Sequence, residues 1–142
     1  MTVVTEEQKR QYAEDGFFML EAVIPTDLLE MLRGKCRLAI DLADAEMDEL
    51  GTDAHRLNHR HKRYFRSGMH ETVPELNDFL FSDLMIEVCR ATLGENAYLF
   101  NEQYVIKGAD IGMKFSWHQD SGYVGYPDHK PYLSCWCALD DM

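Results

Sequence analysis

The strongest constraint on this chain is a change of period: apolar residues recur at helical spacing up to Leu93, and from Ala97 the pattern turns strand-like. Leu28, Leu32, Cys36, Ala39, Ala43, Met47 and Leu50 fall on one face of a helix that Pro25-Thr-Asp opens and Gly51 closes. Thr5-Glu-Glu-Gln8 is a capping box, which predicts a first helix from Glu6 to Asp15 ending at Gly16. Pro74 to Phe81 reads as a short helix, and Ser82-Asp83 caps another that runs to Leu93 and stops at Gly94. Strands are predicted over 17–24, 97–107, 115–120 and 132–139, with a Gly- and Pro-containing loop from Ser121 to Pro131. Helices first and strands second predict an α+β fold, one domain over 1–142, with helices packed on an antiparallel sheet.

Charge and cysteine usage narrow the function. Fourteen Lys and Arg against 25 Asp and Glu give a net charge of -11, which repels polyanions and argues against nucleic-acid or anionic-membrane partners. One run is basic: residues 55–66 hold five Lys or Arg and no acid, and read either as a solvated loop or helix face or as a local anion site. His55, His59, His61 and His70 read as surface residues of the helical portion. Cys36, Cys89, Cys135 and Cys137 show no C-x-x-C spacing and read as reduced thiols, with Cys135 and Cys137 as small buried apolar groups. The chain has no apolar run of spanning length and no basic-then-apolar leader, so a cytoplasmic protein is the expectation, as a monomer.

The sharpest chemical feature is Trp117-His118-Gln119-Asp120. In a strand, residues two apart share a face, so His118 and Asp120 offer an imidazole nitrogen and a carboxylate oxygen to one ion. Two histidines and a carboxylate on one face of an octahedral ion leave room for a bidentate co-substrate and oxygen, the arrangement of non-haem iron(II) oxygenases. A bare His-x-Asp is a weak signal by itself and equally describes a structural pair.

Context sharpens it. Gln103-Tyr-Val-Ile-Lys107, Trp117-His-Gln-Asp-Ser-Gly-Tyr123 and Tyr132-Leu-Ser-Cys-Trp136-Cys-Ala-Leu-Asp-Asp141 together resemble the central pattern of the phytanoyl-CoA dioxygenase family. The opening, with Glu7-Gln8, Tyr12 and Asp15-Gly16-Phe17, resembles that family's opening as well. The resemblance implies N-terminal helices on a double-stranded β-helix (a cupin-like jelly roll), incomplete at its C-terminus in the 142 residues. It implies iron(II) held by His118 and Asp120, and 2-oxoglutarate near Trp136, Gln119 and Gln103, with Arg66 as a cationic contact. Molecular oxygen and a small organic substrate are the implied partners, and ascorbate is a candidate accessory. Asp120 in place of a small residue implies hydroxylation rather than halogenation. Tyr123 and Tyr126 are candidate entrance residues, and Lys107 reads as a surface charge.

The family pattern also places a second histidine ligand, a 2-oxoglutarate arginine and an Asn-Gly segment downstream of the residues present. His129 is the one histidine after Asp120, in a Pro-flanked loop. The expectation is therefore that these 142 residues alone do not turn over substrate. The rival readings are a non-catalytic jelly-roll scaffold that binds a partner, and a cupin-like module holding another ion.

Overall fold

The computed structural model describes residues 2–108, 116–120, 122 and 131–140. Phe115, Tyr123, Tyr126, His129 and Asp141 lie outside the described residues. The chain forms two compact units: Met1–Leu28 with Asn77–Tyr98 and Trp117–Met142, and Leu29–Leu76 with Leu99–Ser116.

In the first unit, helix α1 spans Glu6–Asp15. The capping box forms as predicted: the Thr5 side chain accepts the Gln8 N–H while the Gln8 side chain accepts the Thr5 N–H. Gly16 ends the helix in the left-handed region at φ 81°, a conformation that costs a glycine nothing. Ahead of α1, Val4 is fully buried, and the Val3 and Val4 N–H groups both donate to the Glu87 carboxylate. Glu87 belongs to α4, Asp83–Leu93, which Ser82 caps by accepting the Met85 N–H, and which lies against α1. The short helix α3 spans Leu76–Leu80 and buries Leu76 and Phe79.

The second unit is built on α2, Thr26–Glu49, whose buried stripe is Leu32, Ala39, Ala43 and Met47. These four are the centre of the predicted stripe; Leu50, at its end, is exposed. Against the helix lies a four-stranded antiparallel sheet in the order β1 (Ala54–His55), β2 (Asn58–His59), β3 (Arg63–Ser67), β4 (Gln103–Lys107). Ala43, Met47 and Tyr64 form the core there, with Ile40 and Ile106 packed against them. Tyr64 pairs with Ile106 and Arg66 with Tyr104 across β3 and β4, so these four share the face toward α2. The Tyr104 hydroxyl donates to the Leu32 carbonyl over 3.1 Å, and the Tyr64 hydroxyl donates to Asp44 over 3.0 Å.

The basic run is not a helix face: His55, Asn58, His59 and residues 63–66 lie on β1, β2 and β3, joined by turns that carry Arg56, Arg60 and Lys62. Two of its five cations are held by carboxylates, several of them from α2. Arg60 meets Asp44 at 3.3 Å, Asp53 at 2.8 Å and also Asp48, while Arg66 pairs with Glu46. Arg63 is buried and donates through Nε to the Leu57 carbonyl. The histidines are correspondingly displaced from the helical portion. His55 and His59 sit on strands, and His70, in a 3-10 turn over Met69–Glu71, pairs with Glu102 at 2.6 Å.

All four predicted strands are corrected. Residues 17–24 form no strand: Ala22 turns to φ 52°, and Phe17 and Met19 are exposed. The strand predicted over 97–107 is confined to 103–107, with Tyr98, Leu99 and Phe100 on the surface. Residues 131–140 carry no strand, nor do the described residues 116–120. Apolar and β-branched composition favours a pleated surface, yet a strand exists only where a neighbouring backbone completes its ladder. All four cysteines are free thiols, but Cys135 is exposed and Cys137 only half-buried.

The fold class holds: helices with an antiparallel sheet, an α+β protein. No helix is long and apolar enough to cross a membrane among the described residues.

Candidate metal centre

The His-x-Asp pair lies outside any strand, so the predicted strand geometry is not what brings its side chains together. They meet all the same. His118 Nε2 lies 3.3 Å from Asp120 Oδ1, with both side chains about two-fifths exposed (39% and 42%). The second carboxylate oxygen is engaged separately, because the Ser134 hydroxyl donates to Asp120 Oδ2 over 2.5 Å. Asp120 therefore has one oxygen fixed by a hydroxyl and the other turned to the imidazole. Tyr132, two residues before Ser134, also senses this carboxylate: burial first and the Asp120 charge second push its phenol above the ordinary range.

This geometry suits a shared ion. Two donor atoms each about 2.1 Å from a first-row divalent ion, at right angles, stand roughly 3.0 Å apart. The observed 3.3 Å is within a few tenths of an ångström of that separation. An imidazole nitrogen with a carboxylate oxygen is also a donor set that such ions accept. The pair offers two donor atoms, and no group of three or more His, Cys, Asp or Glu able to hold a metal occurs among the described residues.

The other predicted site residues fall in two places. Gln119 is exposed, and its carbonyl accepts the Gly122 N–H. Trp136 belongs to the same unit as the His-x-Asp pair and is largely exposed. Gln103 and Arg66 belong to the other unit, on β4 and β3, where Gln103 is opposite Ser67. Arg66 engages Glu46. Ser134 carries no sequence signal of its own, since a lone serine in an apolar segment has no spacing relation to His118 or Asp120 that marks a contact.

A helix-first α+β chain with an imidazole and a carboxylate held side by side is the class of protein these features define. The chain belongs to the phytanoyl-CoA dioxygenase family: the profile of that family (Phytanoyl-CoA dioxygenase, PhyH) matches residues 12–142. Members of the family are typically oxygenases that use iron(II) and 2-oxoglutarate. No curated protein and no solved structure matches the chain.

Proposed function

We propose that the chain belongs to an iron(II)- and 2-oxoglutarate-dependent hydroxylase of a small organic substrate, built on one jelly-roll domain. The observation that carries this is the 3.3 Å approach of His118 Nε2 and Asp120 Oδ1 inside the segment matched to the family. His118 and Asp120 are the two protein ligands assigned to the metal. Gln103, Gln119, Trp136 and Arg66 are assigned to the surroundings of 2-oxoglutarate, and Arg66 has to exchange Glu46 for that role. The chemistry that bound iron(II) and 2-oxoglutarate supply is oxygen activation, with succinate and carbon dioxide as co-products.

The residues of this chain bind and orient. Asp120 contributes the negative charge that offsets part of the ion's own. His118 must present an unprotonated Nε2, so ion and proton compete for the same atom. The two atoms face each other directly, and a bound ion would replace that contact.

With two ligands assigned, iron affinity is the primary readout and succinate formation the secondary one. Asp120→Ala and His118→Ala are each expected to abolish iron-dependent binding of 2-oxoglutarate, measured anaerobically by the visible absorption of the complex. An Asp120→Ala protein that still forms the complex at the same iron concentration would refute the assignment.

A second reading draws on the same contact. Half-exposed, and with Ser134 on the remaining oxygen, His118 and Asp120 already have partners within the chain, which suits a non-catalytic scaffold. On that reading neither substitution changes metal affinity, because there is none to lose.

A further inference from the structure

We infer that Ser134 is a positioning residue for the Asp120 ligand, aiming one carboxylate oxygen at the metal by holding the other. The inference rests on the reading of His118 and Asp120 as ligands.

A carboxylate can bind an ion through either oxygen or through both, and its side chain turns freely about two bonds. An aspartate left to itself therefore samples orientations in which the ligand oxygen points away. In this chain the ambiguity is removed. The Ser134 hydroxyl donates to Oδ2 at 2.5 Å, and Oδ1 is left as the oxygen that faces His118 Nε2. Ser134 lies 14 residues downstream of Asp120, so the hydrogen bond also ties the 131–140 segment to the His-x-Asp segment. Hydrogen bonds to metal-ligating carboxylates orient the ligand, and their loss typically lowers metal affinity by about 10- to 100-fold.

Ser134 has two further qualifications. It carries no charge, so it withdraws no ligand electrostatics from the ion. It is also exposed, so its removal leaves no cavity and no buried polar group without a partner. A loss on substitution is therefore a loss of orientation rather than of folding.

The test is titration of the full chain with cobalt(II) in the presence of 2-oxoglutarate, followed by the visible absorption of the bound ion. Wild type, Ser134→Ala, Ser134→Thr and Asp120→Ala are compared, with thermal unfolding of each. The expected result is that Ser134→Ala weakens cobalt(II) binding by roughly 10-fold or more, with an altered spectrum and an unchanged melting temperature. Ser134→Thr, which keeps the hydroxyl, restores most of the affinity and the wild-type spectrum. If Ser134→Ala binds as wild type does while Asp120→Ala does not bind, the positioning role is wrong and the metal site stands. If Ser134→Thr fails as badly as Ser134→Ala, the hydroxyl is not the cause and the inference falls. If Asp120→Ala binds cobalt(II) like wild type, or wild type binds none, the ligand reading itself fails and takes the inference with it.

Discussion

Tyr104→Phe removes a single oxygen, and its consequence can be worked from its surroundings. Tyr104 is 9% exposed on β4, and its hydroxyl donates to the Leu32 carbonyl in the middle of α2. It is the bond that fastens the strand carrying Gln103 to the helix beneath it. The carbonyl is not orphaned by the substitution, because the helix's own ladder supplies the N–H of Cys36. The cost is therefore that of one neutral buried hydrogen bond, about 1 kcal/mol, without the larger penalty of a stranded acceptor. In a chain of this size that is a fall in Tm of about 3–4 °C. Burial pushes the Tyr104 phenol well above its ordinary value. A raised folded-state value stabilises the protein fully below the unfolded-chain pKa of about 10 and is lost as pH rises through the folded value. The deficit of the Phe variant, measured by urea unfolding with far-UV circular dichroism, is thus expected to stay constant to pH ~10 and to shrink above it. A variant as stable as wild type at neutral pH, or a deficit that grows in alkali, would refute the reasoning.

Two more outcomes follow from contacts in the second unit. Gly108→Ala brings a Cβ to 2.9 Å from the His61 carbonyl and 3.7 Å from that of Lys62, both backbone, so a stability loss of about 1–3 kcal/mol is expected in the same unfolding assay. Arg66→Ala breaks a partly exposed pair with Glu46 and is expected to cost less than about 1 kcal/mol. Weaker 2-oxoglutarate binding in Arg66→Ala but not in Glu46→Gln identifies the guanidinium as a co-substrate contact; equal binding in both removes Arg66 from the site.

The helices were legible because their ends are written locally. Thr5 with Gln8, Pro25 with Gly51, and Ser82 with Gly94 each fix a boundary within a few residues of sequence, and α1, α2 and α4 follow those boundaries. The strands were not, because pairing is a relation between distant segments. Residues 17–24 and 132–139 have strand composition and no ladder among the described residues. The basic run has poor strand composition, yet parts of it pair, and Asp44, Glu46 and Asp48 on α2 receive two of its cations, Arg60 and Arg66. Asp44 and Asp48 are one helical turn apart and adjoin the buried Ala43 and Met47, which is the one trace of that contact the sequence carries. For the His-x-Asp pair the structure amends the expected strand geometry. His118 and Asp120 do face each other, but outside any strand, and a serine 14 residues away from Asp120 holds the carboxylate.

The masking of the basic run bears on how an anionic molecule would reach this protein from solution. With Arg60 and Arg66 each matched to carboxylates, two of the five cations in the longest basic run are offset locally, in a chain of overall charge -11. A dianion such as 2-oxoglutarate therefore diffuses toward a repelling body, and its encounter is quickened by salt rather than slowed, since the repulsion is screened within about 8 Å at physiological ionic strength. Selectivity for such a molecule has to reside in short-range contacts at the point of capture, because attraction over distance works against it.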